Sequence, residues 1–206
     1  MPVHFAGQSC EMKKIYELSQ NYGFSIVEDA SHAIGGSYYS SPIGACEFSD
    51  IVVFSFHPVK IITSAEGGMV LTDNFETYEK LIKLKTFNRA KDKSDWHEGF
   101  GLNFKITDLQ SALGLSQLSR LDSLIHKKKN IFQYFYENLE RVEMINFKEY
   151  ETPWFIDIIL STEDERNKLA NHLKENFIET RYCYPPLSLQ EYLIDIEHED
   201  LQHSED

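Results

Sequence analysis

The sequence predicts an α/β fold, in which helices cover a mostly parallel sheet. Three apolar segments, 24–27, 51–56 and 69–71, have the length and content of buried strands. A segment with helical spacing, 10–22, precedes the first strand, and further helical segments follow the last one. Strands that alternate with helices along a chain are typical of this fold class.

The first helix and strand follow from short local signals. In 10–22 the apolar residues recur at helical spacing, and Gly23 follows as a residue past a helix C-terminus should. The strand predicted at 24–27 ends at two acids, Glu28 and Asp29. We therefore expect carboxylates at the carboxyl end of a buried strand, where open α/β sheets bind ligands.

The second half of the chain turns helical and then repeats a strand-helix-strand pattern. Thr107 is placed to cap one helix, and the spacing of 121–139 predicts a longer one. A strand at 154–160, a helix opened by Thr162 and a strand at 178–182 then form a second unit. These changes predict a large domain over 1–145, a small α+β domain over 146–192 and a solvated acidic tail over 193–206.

Charge and cysteine spacing exclude several function classes. The 20 basic and 33 acidic side chains give a net charge of −13, which repels phosphate backbones and argues against a nucleic-acid partner. The three cysteines form no C-x-x-C pair, so we expect neither a metal site nor a disulfide framework. No apolar run approaches the ~20 residues that span a bilayer, and the first residues lack the features of a signal peptide. The expected location is the cytoplasm, with no membrane partner.

Three clusters carry residues suited to chemistry. Asp29 and His32 follow the first strand, Ser55 and Lys60 follow the second, and Asn103 precedes the helix capped at residue 107. Each has a simpler interpretation, since an acid there often only caps the next turn and a lysine past a strand is usually a surface residue. The serine five residues before the lysine and the glycine pair shortly after it, however, are an unusual combination.

Taken together, the clusters resemble the DegT/StrS family of sugar aminotransferases. The matching motifs are Glu-Asp-Ala-Ser-His-Ala-Ile-Gly at 28–35, Ser-Phe-His-Pro-Val-Lys at 55–60 with Glu-Gly-Gly at 66–68, and Gly-Leu-Asn-Phe-Lys at 101–105. They occur in the order and spacing of the family, and the resemblance extends from about residue 2 to 192. It implies part of the large domain of a pyridoxal-phosphate transferase, followed by part of its small C-terminal domain.

The resemblance also implies a role for each residue around pyridoxal 5′-phosphate. Lys60 matches the catalytic lysine, which binds the cofactor aldehyde and then moves a proton between substrate and cofactor. Asp29 matches the carboxylate that keeps the ring nitrogen protonated, and His32 matches the hydrogen-bond partner of the ring oxygen. Ser55 matches a phosphate ligand, while Asn103 matches a residue that reaches the phosphate of a neighbouring subunit, which implies a homodimer.

The implied reaction is the transfer of an amino group from an amino acid, usually glutamate, to a nucleotide-linked keto-deoxysugar. The strings around the clusters look closest to 4-aminotransferases of nucleotide-4-keto-6-deoxysugars, in amino-sugar and surface-polysaccharide biosynthesis. Relatives that act as dehydratases carry histidine at the position of Lys60, so the lysine favours transamination.

Two other interpretations remain open at this point. Family members have a long segment ahead of the part that matches here, so the chain is alternatively an inactive or split fragment that acts only through a partner chain. A plain α/β module that binds another phosphate compound is the third possibility. Lys105 also stands where the family usually has arginine, which forms a planar bidentate contact that lysine cannot reproduce.

Overall fold

The computed structural model describes residues 1–93 and 95–193. It divides into two compact units, Met1–Ile159 and a second that begins at Leu160. The domain boundary predicted near 145 lies ahead of this division and stays a prediction. Apart from its first residue, the tail predicted at 193–206 lies outside the described residues.

The first unit contains all three predicted clusters and most of the helices and strands. Its strands are β1 (Val27–Asp29), β2 (Ser37–Tyr38), β3 (Ser41–Pro42), β4 (Ile51–Ser55), β5 (Gly68–Leu71), β6 (Glu143–Met144) and β7 (Ile158–Ile159). Its helices are α1 (Met12–Tyr22), α2 (Phe75–Lys85), α3 (Asp108–Leu118) and α4 (Leu121–Asn138), with a 3₁₀ turn at Phe5–Gly7.

The central sheet has the strand order β1-β4-β5 and is mixed rather than mostly parallel. β1 and β4 are parallel, with Asp29 opposite Val53, whereas β5 pairs antiparallel to β4. The direction of β5 follows from its connection, because the loop 56–67 returns directly beside β4 and carries no crossover helix. The α/β fold class is confirmed, and the direction expected for the third strand is corrected.

The strand predicted at 24–27 lies further along the chain than expected. β1 begins at Val27 and includes Glu28 and Asp29, so both acids belong to the strand. Phe24 is exposed, whereas Ile26 is buried. This shift decides which way the two carboxylates point, because successive side chains of a strand face opposite sides.

The helices begin and end close to their predicted positions. Gly23 follows α1 with a φ of 72°, a left-handed conformation that favours glycine. Thr107 and Gln110 form a reciprocal capping box at the start of α3. Local signals at the helix ends were therefore sufficient to place them.

Small, branched and aromatic side chains form the main apolar core. The buried cluster contains Ala30, Ala33, Ile43, Val52 and Phe54. Two of its members lie on β4 and two follow β1, so the core fixes the strand ends that carry Asp29 and Ser55.

The second unit contains α5 (Glu163–Glu175) and a 3₁₀ turn at Leu187–Leu189. Thr162 caps α5, since its hydroxyl accepts the Glu165 N–H at 3.2 Å. The prediction of a strand at 178–182 is wrong, because this segment pairs with no strand in the part of the chain that the structure describes. Its apolar content was typical of a strand, but strand formation also needs a neighbouring edge.

In residues 1–93 and 95–193, no helix combines the length and apolar content needed to cross a bilayer. The same residues contain no group of three or more histidine, cysteine or acidic side chains placed to hold a metal ion.

Candidate active site

Three of the predicted residues meet at one edge of the sheet. Asp29 ends β1, His32 lies in the turn that follows, and Lys60 lies in the loop after β4. Because β1 and β4 are parallel neighbours, their carboxyl ends lie at the same edge. Burial lowers the pKa values of both His32 and Lys60, the charge of Lys60 lowers that of His32 further, and the charge of Asp29 acts on both in the opposite direction.

Two environmental effects keep His32 neutral. Burial, and then the charge of Lys60, lower the pKa of its imidazole to about 4. The backbone N–H of Ala6 donates to Nδ1 of His32 at 3.3 Å. A neutral imidazole that accepts at Nδ1 carries its proton on Nε2, so His32 offers an N–H donor from Nε2.

Lys60 is held in a partly buried position. Burial lowers the pKa of its amine, and the charge of Asp29 only partly offsets this effect. A lysine with a lowered pKa is more often in the neutral, nucleophilic form near neutral pH. The sheet edge therefore holds an amine with a lowered pKa beside a neutral histidine.

The two adjacent acids of β1 have separate surroundings. Asp29 accepts the Ser31 N–H at 3.0 Å, so it does cap the following turn, and its charge also reaches Lys60 and His32. Glu28 is buried and lies 2.7 Å from Nε2 of the fully buried His4, while its other oxygen accepts the Ser49 hydroxyl. Strand alternation separates the two roles: Glu28 belongs to an internal polar network, and Asp29 belongs to the site.

The loop 56–67, which carries Lys60, is closed at its base by hydrogen bonds to Phe56. The Phe56 N–H donates to Gly67 O at 2.9 Å, and the Phe56 carbonyl accepts from Ser64 N and Thr63 Oγ1. Gly67 has a φ of 152°, and a Cβ there would lie 2.6 Å from Ser64 Oγ. This close approach explains a glycine at the point where the loop rejoins the sheet.

Ser55 lies at the same sheet edge, whereas Asn103 does not join the cluster. Ser55 ends β4, and its hydroxyl accepts the His57 N–H at 3.3 Å. Asn103 is exposed and forms an isolated bridge with Thr86, just past the end of α2. Within the described residues, no hydrogen bond or ion pair joins Asn103 to Lys60, so its role in a neighbouring subunit stays a prediction.

The sequence motifs did not identify Trp154, which contacts two residues of the site. Its ring centroid lies 3.7 Å from that of His32 and 4.1 Å from Nζ of Lys60. Phe5 and Phe155 also surround His32, with ring centroids 5.6 and 5.9 Å from it. The only available signal was a Trp-Phe pair at the start of a predicted strand, which is equally typical of a core.

Comparison with known proteins gives a consistent result. The profile of the DegT/DnrJ/EryC1/StrS aminotransferase family matches residues 1–206. The chain is 33% identical over 190 residues to the GDP-perosamine synthase of Escherichia coli O157:H7, a match that covers 91% of this chain and 52% of that protein. It is 37% identical over 155 residues to the UDP-4-amino-4,6-dideoxy-N-acetyl-beta-L-altrosamine transaminase of Campylobacter jejuni subsp. jejuni serotype O:2, covering 72% of this chain and 40% of that protein.

A solved structure agrees with these sequence matches. PseC of Helicobacter pylori, an aminotransferase involved in the biosynthesis of pseudoaminic acid, superimposes with a TM-score of 0.89 at 25% identity, covering 98% of this chain and 57% of PseC. The chain thus spans about half the length of the curated relatives it matches. On the profile match over its whole length, the chain belongs to the DegT/DnrJ/EryC1/StrS aminotransferase family.

Proposed function

We propose that the chain provides the lysine-bearing part of a pyridoxal-phosphate-dependent aminotransferase that acts on a nucleotide-linked keto-deoxysugar. The observation that carries this proposal is the meeting of Lys60, His32 and Asp29 at the carboxyl edge of β1 and β4. An amine with a lowered pKa, a neutral N–H donor and a carboxylate share one small region there.

This set of groups fits pyridoxal 5′-phosphate, the cofactor that the family resemblance implies. Lys60 would attach covalently to its aldehyde and later move a proton, which needs a lysine that readily becomes neutral. His32 would donate from Nε2 to the ring oxygen, and Asp29 would keep a proton on the ring nitrogen. Ser55 would bind the phosphate. When bound, the cofactor supplies an electron sink for the amino transfer.

The names of the relatives support the substrate class. One relative is a GDP-perosamine synthase and another is a transaminase of a UDP-linked amino sugar. For this chain we propose a nucleotide-linked keto-deoxysugar as the acceptor of the amino group. We propose an amino acid as the donor, and we expect it to be glutamate. We further propose a cytoplasmic homodimer or a complementing chain, in which the exposed Asn103 reaches the neighbouring site.

Reductive trapping tests the proposal directly. The purified chain is mixed with equimolar pyridoxal phosphate and reduced with borohydride, and the labelled lysines are identified by peptide mass spectrometry. We expect label on Lys60 ahead of every other lysine, because its amine combines a lowered pKa with the neighbouring Asp29. Burial also lowers the pKa of Lys128, but that amine donates a hydrogen bond to Trp154 O. Lys80, which is exposed on α2, provides the matched control within the same digest.

Label spread evenly over Lys60 and exposed lysines such as Lys80 would contradict a specific site in this chain. A Lys60→Ala variant should lose the specific label and keep the background at Lys80. Once Lys60 is labelled, glutamate is tested as amino donor by its ability to reverse the labelling before reduction.

A further inference from the structure

Trp154 ties together three segments that surround the site. Its backbone N–H donates to Ala6 O at 2.8 Å, and its indole Nε1–H donates to Val59 O at 3.1 Å. Its carbonyl accepts from Lys128 Nζ on α4 at 3.2 Å. The residue is only 7% exposed, so Trp154 itself has little contact with water.

Two of these bonds fix the backbone next to the site residues. Val59 immediately precedes Lys60, so the bond from Nε1 fixes the loop where the lysine begins. Ala6 accepts from Trp154 and donates its own N–H to Nδ1 of His32. The residue whose ring contacts Lys60 and His32 therefore also holds the backbone groups beside them.

We propose that Trp154 is a positioning residue that holds the Lys60 amine beside His32 and shields it from water. The proposal rests on the proposed function only in taking Lys60 as the cofactor lysine. The simpler alternative is that Trp154 fills the core and that its contact with the amine has no effect on the lysine.

The indole has two opposite effects on the amine. Its π face attracts a cation and thus favours the charged amine. Its bulk removes water and thus favours the neutral amine. Burial lowers the pKa of Lys60 by more than the charge of Asp29 raises it, so removing the indole should raise that pKa towards its ordinary value of 10.5.

The first test uses the fluorescence of Trp154 without any cofactor. The chain contains two tryptophans, and Trp96→Phe leaves Trp154 as the only indole. Its emission is followed from pH 7 to 11, in this variant and in the same variant with Lys60→Met. We expect an emission step with a midpoint below 10.5 that Lys60→Met removes. Because both proteins contain the same tyrosines, the ionisation of tyrosine cancels in the comparison.

The second test measures the lysine itself. The pH dependence of Lys60 acetylation by acetic anhydride, read by peptide mass spectrometry, gives the apparent pKa of the amine. Trp154→Phe keeps an aromatic ring and should keep that pKa low, whereas Trp154→Ala should raise it. Trp96→Ala, at an exposed tryptophan, is the matched control and should leave it unchanged.

Either of two results would overturn the proposal. One is an emission profile that Lys60→Met does not alter, and the other is a folded Trp154→Ala variant with the wild-type pKa of Lys60. If Trp154→Ala does not fold, Trp154→Leu takes its place, and an unchanged pKa of Lys60 in that folded variant overturns the proposal. Both tests are free of cofactor, so a chain that passes them but is not labelled by pyridoxal phosphate refutes only the proposed function.

Discussion

Glu28 and Asp29 are adjacent in sequence, yet they act on different parts of the molecule. The side chain of Glu28 turns inward to His4 and Ser49, whereas the charge of Asp29 reaches His32 and Lys60. The motif of two acids therefore contains one carboxylate in a buried polar network and one at the candidate site. Strand alternation, rather than the acidity of the residues, distinguishes them.

Glu28→Gln should destabilise the chain by about 1–3 kcal/mol, because it weakens a buried hydrogen-bonded pair with His4. The free energy of unfolding in urea measures this effect. Glu76→Gln, which changes an exposed carboxylate on α2, should stay within about 0.5 kcal/mol of the wild type. Equal losses in the two variants would show that the buried network has no special role.

His32 should make the stability depend on pH. Its pKa is about 4 in the folded chain and 6.5 as the ordinary value, so the unfolded chain takes up this proton first as the pH falls. Its contribution is complete above pH 6.5 and is lost progressively between pH 6.5 and 4. After allowance for solvent screening around a half-buried side chain, we expect about 1–2 kcal/mol.

The control for this prediction is His32→Gln, whose side chain does not titrate and can still accept the Ala6 N–H. Urea unfolding is compared at pH 7, 5.5 and 4 for both proteins. The wild type should lose more stability than the variant over this range. Parallel curves for the two proteins would mean that His32 titrates normally in the folded chain.

At the scale of elements, local signals predicted helices well and strand pairing poorly. Gly23 and the Thr107–Gln110 pair mark helix ends through contacts a few residues apart. The direction of β5 and the failed strand at 178–182 depend instead on which edge a segment meets. That information comes from distant parts of the chain, so apolar content alone does not supply it.

Thr107→Ala should loosen the start of α3, because the capping box satisfies backbone N–H groups that otherwise have no partner in the helix. We expect a loss of about 1 kcal/mol. Amide hydrogen exchange at 108–111 gives the local readout. Ser116→Ala, on the exposed side of the same helix, should leave the exchange unchanged, and similar exchange in both variants would refute a capping role.

At the scale of the whole molecule, the sequence motifs named residues that the structure brings to one sheet edge, but they did not identify Trp154, which packs against two of them. Strand ends placed Asp29, Ser55 and Lys60 at one edge, because parallel neighbours share an edge. Trp154 bonds to a residue 95 positions away, and no local pattern predicts such a contact. Asn103 stands apart from the cluster, and its predicted role needs a second chain.

Cofactor binding should stabilise the whole first unit. A ligand that binds only the folded chain at 100 times its dissociation constant adds about 2.7 kcal/mol to the unfolding free energy. Urea unfolding with and without pyridoxal phosphate measures this gain, and Lys60→Ala should reduce it. A gain of the same size in Lys60→Ala would place the binding away from the sheet edge.

The closed base of the loop 56–67 has a kinetic consequence. β4 and β5 meet through a short connection, so the entropy lost on closing the Lys60 loop is small. The Trp154–Val59 bond closes a much longer stretch of chain and costs more entropy to form. During refolding, the hairpin that carries the lysine should therefore appear before the indole reaches it. Lys60 would then remain open to water until the indole has packed against it.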